Sequence, residues 1–67
     1  MKNKINSAGI NFLNENGEIT RDIYEGDTLK LVNKEGVSYR EKVVNNLEDI
    51  FELIDSATSM FDTLYIK

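Results

Sequence analysis

The chain has 67 residues and a net charge of −4, and it contains no cysteine and no histidine. This length predicts one small domain, whose core stabilises the fold by only about 3–5 kcal/mol. Neither disulfides nor thiolate or imidazole metal ligation can reinforce such a fold. The domain must therefore rely on its own core or on a partner subunit.

The composition also argues against catalysis. The four serines have no histidine to activate them, and the four glycines lie singly rather than in a phosphate-binding loop. Paired carboxylates would need a cleft that shifts their pKa values, and so small a domain has little room for one. We therefore predict that the chain is not an enzyme and has no cofactor, no metal site and no catalytic residue.

The sequence favours the cytoplasm. No stretch approaches the roughly 18 apolar residues needed to cross a bilayer, and the first residues do not form the apolar run of a signal peptide. The absence of cysteine fits a reducing compartment. We expect a cytoplasmic protein without a membrane partner. Net acidity further argues against a general nucleic-acid binder, whose affinity comes mostly from neutralising phosphates.

Residues 1–9 are charged and polar, and they are predicted to form a flexible leader before a single domain over residues 10–67. Within that domain, Asn16-Gly17 lies between two apolar runs and predicts a hairpin with a type I′ turn. In that register Phe12 faces Arg21, so either Arg21 lies at the rim of the core or the register differs by one residue. The predicted core face collects Ile10, Phe12, Ile19 and Ile23.

A second hairpin follows a turn at residues 25–27. Its strands are predicted over residues 28–32 and 37–43, with a turn over residues 33–36. Apolar and polar residues alternate along both strands, which predicts a sheet with one buried side. Leu29, Leu31, Val37, Tyr39 and Val43 are expected on that side. The basic side chains Lys30, Arg40 and Lys42 are expected to project together from the outer face, with Lys34 at the tip.

One amphipathic helix is predicted after this hairpin. Asn45 or Asn46 would cap its start, and weak helix formers would end it between residues 58 and 62. Residues 63–66 are β-prone and predict a short final strand. The predicted fold class is therefore α+β, an antiparallel four-stranded meander of two hairpins packed against one C-terminal helix.

The helix region carries an unbalanced charge. Residues 43–66 contain five acids and no base. Steps of three and four residues, passing through Ser59, join four of these acids into one line on the predicted helix, namely Glu48, Glu52, Asp55 and Asp62. Three interpretations stay open: a solvated face, a docking surface for a basic partner, or a dimer contact. Leu53, Met60 and Leu64, at the edge of the apolar arc, are the candidates for contact with a second subunit.

The run Gly17-Glu18-Ile19-Thr20-Arg21-Asp22-Ile23-Tyr24-Glu25-Gly26-Asp27 resembles leader segments of replication or regulatory proteins. These proteins come from phages and plasmids of low-GC Gram-positive bacteria, and a winged-helix domain follows the segment in them. No winged helix follows here, so the resemblance carries over no functional residue. It implies a phage or mobile-element setting, in which small acidic proteins often bind and inhibit a host protein.

These observations lead to one main hypothesis and two alternatives. The main hypothesis is a small acidic regulator or inhibitor that binds a basic host or phage protein through Glu48, Glu52, Asp55 and Asp62. The first alternative is a nucleic-acid-binding accessory protein that uses the basic outer face. Its contacts would come from Lys30, Lys34, Arg40 and Lys42. The second alternative is a self-assembling structural protein, in which the acidic helix of one copy meets the basic ribbon of another, as in a homodimer.

Overall fold

The computed structural model describes residues 2–67. It contains one helix, a five-stranded sheet and a separate two-stranded ribbon. The elements in chain order are β1 Lys4–Ile5, β2 Phe12–Leu13, β3 Ile19–Thr20, β4 Ile23–Tyr24, β5 Asp27–Val32, β6 Ser38–Val44, α1 Leu47–Asp55 and β7 Thr63–Ile66. The predicted α+β class and the predicted final strand are confirmed.

The sheet order differs from the predicted meander. The five strands are arranged as β3-β2-β7-β5-β6, while β1 and β4 pair apart from them. Strand β7 lies between the two hairpins, parallel to β2 and antiparallel to β5. A four-stranded meander is therefore wrong, because the last strand supplies hydrogen-bond partners to an edge of each hairpin that would otherwise be unpaired.

The two hairpins close with the same kind of turn. The amide of Gly17 donates to the carbonyl of Asn14 at 2.9 Å, and that of Gly36 donates to the carbonyl of Asn33 at 2.9 Å. Each asparagine side chain also accepts from two backbone amides within its loop. Both glycines have positive φ, at 78° and 83°. Both are three-residue loops with a left-handed glycine, so the type I′ turn predicted for the first hairpin is wrong, while the second turn lies where it was predicted.

The longer loop moves the first hairpin by one residue. Phe12 pairs with Thr20 instead of Arg21, which is the second of the two predicted outcomes. Phe12 and Ile23 are buried as expected, and Ile10 packs at the edge of the core. Ile19 is 73% exposed, so its assignment to the core face is wrong. It pairs with Leu13, and the side chains of such a pair share the face opposite Phe12.

Part of the predicted flexible leader belongs to the fold. Strand β1 pairs with β4, and Ile5 is buried against the main core. Residues 2–9 are therefore not a detached leader, because Ile5 removes apolar surface from water. Met1, which the same prediction included, lies outside the described residues. The turn after β1 places Ala8 and Gly9 at positive φ, with the Ile10 amide donating to the Ser7 carbonyl at 3.0 Å.

The second hairpin has the predicted strands but not the predicted facing of its cations. Lys42 pairs with buried Leu29, whereas Lys30 pairs with Glu41 on the opposite face of the sheet. Val43 is consequently exposed, as is Val37. The prediction that Lys30, Arg40 and Lys42 project from one outward face is therefore wrong. A register shift at Val32 lets Tyr39 pack against the core, while Arg40 pairs with Leu31.

Helix α1 begins at the predicted place and ends early. The side chain of Asn46 accepts from the Asp49 amide at 2.9 Å, so Asn46 is the N-cap. The helix ends at Asp55, and the Ser56 hydroxyl donates to the Leu53 carbonyl at 2.6 Å. The predicted extension to residues 58–62 is wrong, since the hydroxyls of Ser56 and Ser59 bond to nearby backbone groups and so compete with the helix. The buried core consists of Ile5, Phe12, Ile23, Leu29, Leu31, Val44, Ile50 and Leu53.

Candidate functional site

The four acids predicted to form one line do not share one element. Glu48, Glu52 and Asp55 lie on α1, whereas Asp62 lies in the loop that follows it. The continuous line is therefore wrong beyond Asp55, because the helix has ended. The four carboxylates have different contacts within the chain, and these contacts show which of the acids already have a partner.

Glu52 faces strand β6 and is paired there. Its Oε2 lies 2.8 Å from Nζ of Lys42, and the hydrogen bond and charge of Glu52 raise the pKa of Lys42 above its ordinary value of 10.5. Arg40 lines the same shallow depression, together with Leu53 and Ser56. Glu52 is therefore neutralised by Lys42, a base that was predicted to project from the other face of the sheet.

The outward face of α1, next to Glu52, combines two acids with an aromatic ring. Glu48 lies three residues before Phe51 and Asp55 lies four residues after it, so the three side chains adjoin on the helix surface. Phe51 is 46% exposed, and both acids are exposed. Among the described residues, neither of these two carboxylates forms an ion pair. We call Glu48, Phe51 and Asp55 the Phe51 flank.

Phe51 is the residue that sequence reasoning missed. As an apolar residue of an amphipathic helix it would be expected on the core side, but Ile50 and Leu53 occupy that position. A signal was present in its spacing. Phe51 follows Glu48 by three residues and precedes Asp55 by four, which places its ring beside both acids on the helix surface.

Asp62 has a structural role in the loop after the helix. Its carboxylate accepts a short hydrogen bond from the Tyr39 hydroxyl and further bonds from the amides of Thr58 and Ser59, at 3.2 and 3.3 Å. The Thr58 amide also donates to the Tyr39 hydroxyl at 3.1 Å. This network ties residues 58–62 to strand β6. Asp62 is therefore only half-exposed, and its carboxylate already accepts hydrogen bonds from within the chain.

The same loop raises two large apolar side chains into solvent. Met60 is 90% exposed and Phe61 is 69% exposed. Met60 forms one wall of an open groove between the end of α1 and the sheet. Leu31, Ile54, Ala57 and Leu64 supply most of the apolar lining of this groove. We call it the Met60 groove. It adjoins the Phe51 flank, since Ile54 lies one helical turn after Phe51.

The three residues proposed for a dimer contact also lie in different environments. Leu53 is 2% exposed and belongs to the core, so it cannot contact a second subunit. Leu64 is half-buried at the Met60 groove, and Met60 is free at its edge. The predicted contact along one edge of a longer helix is therefore wrong in its geometry.

The four bases of the nucleic-acid hypothesis are dispersed. Lys30 lies on the open face of the sheet beside Tyr65, and Lys34 lies at the tip of the second hairpin. Arg40 and Lys42 lie in the rows of Leu31 and Leu29, on the side of the helix. Tyr39, the tyrosine nearest Arg40 in sequence, has its hydroxyl engaged by Asp62. Lys30 and Arg40 line one depression beside Tyr39, whereas Lys34 and Lys42 do not line it, so the fold does not bring all four bases together.

Known proteins offer no guide to this site. Comparisons with protein-family models, with curated proteins and with solved structures each give no match. Within residues 2–67, no helix has both the length and the apolar character needed to cross a bilayer, and no three acidic side chains gather into a metal-binding group. The interpretation of the Phe51 flank therefore depends on its geometry.

Proposed function

We propose that this chain is a non-enzymatic binding protein that engages a basic surface on another protein through the Phe51 flank. It would act as a stoichiometric regulator or inhibitor in the cytoplasm. The observation that carries the proposal is the half-exposed ring of Phe51 between the unpaired carboxylates of Glu48 and Asp55. Of the acids first considered, Glu52 and Asp62 have internal partners and contribute less.

This arrangement matches the anatomy of protein-binding surfaces. Such surfaces place an aromatic anchor at the centre of the contact and charged groups at its rim, where the anchor supplies most of the affinity. Rim carboxylates steer a basic partner toward the surface and raise the association rate more than the affinity. Phe51 would therefore fill a pocket on the target, while Glu48 and Asp55 would meet cations around it.

A mobile-element origin is part of the proposal. It is supported by the resemblance over residues 17–27, which form the end of the first hairpin, strand β4 and the turn into β5. This segment contains none of the residues of the Phe51 flank. The resemblance thus bears on the setting in which the protein would act, and the contact residues are argued from the helix.

The test is capture of a target from a lysate of the source cells by immobilised chain. We compare the wild type with the double variant E48K/D55K and with F51A. The matched controls are E18K/E35K, which makes the same charge change in the two hairpin loops, and I19A, which truncates another exposed apolar residue. We expect one captured protein to be lost with E48K/D55K and F51A and retained with both controls.

The captured protein must also bind with a one-to-one stoichiometry and in a salt-sensitive manner. Circular dichroism of each variant verifies that the fold is intact. If folded E48K/D55K and F51A capture the same protein as the wild type, the proposal is wrong. A target that is lost equally with E18K/E35K would indicate general charge attraction rather than docking at the helix.

A further inference from the structure

We infer that the Met60 groove receives a single apolar side chain from a cationic amphipathic segment of the partner protein. This inference rests on the proposed function and names the chemistry of the partner. It adds a second contact beside Phe51 and assigns a use to the exposed loop over residues 58–62.

The lining of the groove suits an apolar guest. Its floor includes buried Leu31 and half-buried Leu64, and Ile54 and Ala57 extend the apolar surface from the helix end. Met60 stands at the rim with 90% of its surface exposed. A methionine is flexible and polarisable, so it can close over guests of different shape. An apolar side chain inserted there would cover surface that is now in contact with water.

The loop that forms the groove is held in place before binding. The Asp62 carboxylate and the Tyr39 hydroxyl bind the amide of Thr58, and the Asp62 amide donates to the Ser59 carbonyl at 3.2 Å. The only charged group of the lining thus already has donors, so a guest would not leave it without a partner. A loop that is already ordered loses less conformational entropy when a ligand binds.

The electrostatics select a cationic guest segment. Residues 43–66 carry five acids and no base, and the last turn of α1 contains no basic residue. The negative end of the helix dipole therefore points toward the groove without a neighbouring cation on the helix. Asp55 lies between Phe51 and the groove along the chain. A partner segment with cations beside its apolar anchor would complement both features, whereas anionic lipid would be repelled.

The probe is a synthetic lysine-rich amphipathic helix of about 14 residues, roughly four turns, with one central tryptophan and a terminal dye. The chain contains no tryptophan, so indole emission reports the peptide alone. Dye anisotropy gives the dissociation constant, and a blue shift of the indole emission reports insertion into an apolar site. A lysine-only peptide with the same charge measures the electrostatic contribution separately.

Two neighbouring variants provide the matched comparison. M60S removes a wall of the groove, while F61S removes another exposed apolar side chain, one that does not line it. Neither side chain is buried, so both variants should fold. We expect M60S to weaken binding by about tenfold and to reduce the blue shift, because an apolar contact of the guest side chain is lost. F61S should change neither the affinity nor the blue shift. When the wild type binds the peptide, the methyl NMR signals of Ala57 and Met60 should shift.

The inference is overturned if M60S retains the affinity and blue shift of the wild type, or if F61S loses as much. It is also overturned if the Met60 methyl responds to phosphatidylcholine vesicles and not to the peptide. These results would leave the proposed function intact. Failure of the proposed function would be seen separately, in the capture experiment, if folded E48K/D55K and F51A captured the same protein as the wild type.

Discussion

Lys42 and Glu52 join the second hairpin to the helix, with 2.8 Å between Nζ and Oε2. This contact makes the three carboxylates of one helix face unequal, because Glu52 is neutralised inside the chain while Glu48 and Asp55 are not. The asymmetry places the free negative charge on the same side as Phe51. Changing Lys42 is therefore expected to alter the distribution of charge on α1 without disturbing the core.

Lys42→Met should lower stability slightly, and the loss should depend on pH. The hydrogen bond and charge of Glu52 raise the pKa of Lys42, so the pair stabilises the fold fully below the ordinary value of 10.5. This contribution fades as pH rises through the raised pKa. Urea unfolding of wild type and K42M should show a midpoint difference at neutral pH that narrows above pH 10.5. K34M, in the hairpin loop, is the control, and a K42M difference that is constant with pH would contradict the prediction.

The two asparagines before α1 should differ sharply. Asn46 accepts from the Asp49 amide through its side chain, whereas Asn45 contributes its backbone amide to the Asp49 carboxylate. Asn46→Ala removes a cap and should destabilise the fold by about 1 kcal/mol, within the usual range of roughly 0.5–2. Asn45→Ala keeps the backbone donor and should have little effect. Denaturant titration of both variants compares the free energies of unfolding directly, and equal losses would mean that Asn46 is not the cap.

Ile5 should contribute to stability far more than an isoleucine of a detached leader would. It is 6% exposed and packs in the main core, while Ile19 is 73% exposed. Ile5→Ala should cost about 2–5 kcal/mol, enough to unfold much of a domain of this size. Ile19→Ala should change stability by no more than about 0.5 kcal/mol. Thermal unfolding followed by circular dichroism separates these outcomes, and a stable I5A variant would argue that β1 is detachable.

Ala8 offers a position where a substitution should stabilise the protein. It has a φ of 53°, a left-handed conformation that is unfavourable for alanine. Ala8→Asn should raise stability by up to about 1 kcal/mol, since asparagine tolerates this region and is preferred in such turns. For a domain of this length that corresponds to a melting temperature about 4–8 °C higher. Gly9→Ala, at a φ of 82°, should shift the melting temperature in the opposite direction. A lower melting temperature for A8N would contradict this reading of the turn.

Local patterns predicted the elements that local interactions determine. The final strand Thr63–Ile66 and the two hairpin positions follow from short runs of β-prone residues and turn asparagines. The start of α1 follows from the spacing between Asn46 and Asp49. The insertion of β7 between the hairpins could not be predicted in this way, because it depends on pairing between residues as distant as Leu13 and Tyr65.

The candidate site was predicted only in part for a related reason. The alternation of apolar and polar residues suggested that Lys42 faces outward, yet Val44, two residues later on the same strand face, is buried. Lys42 therefore lies along the core side and extends its amine to Glu52, as long basic side chains do at the rim of a core. Glu48 and Asp55 lack an ion pair among the described residues because Lys42 turns toward Glu52. The exposure of Phe51 beside them depends on the same orientation of Lys42 and on the early end of the helix.

The central position of β7 affects how the protein can form during its synthesis. The strand at the middle of the sheet is made after all six of the others. A nascent chain that has left the ribosome only as far as residue 62 holds two hairpins with no strand between them. Native sheet formation must therefore wait until residues 63–66 emerge. Until then the edges of β2 and β5 can form hydrogen bonds with strands of other chains. A chaperone would protect the protein during this interval.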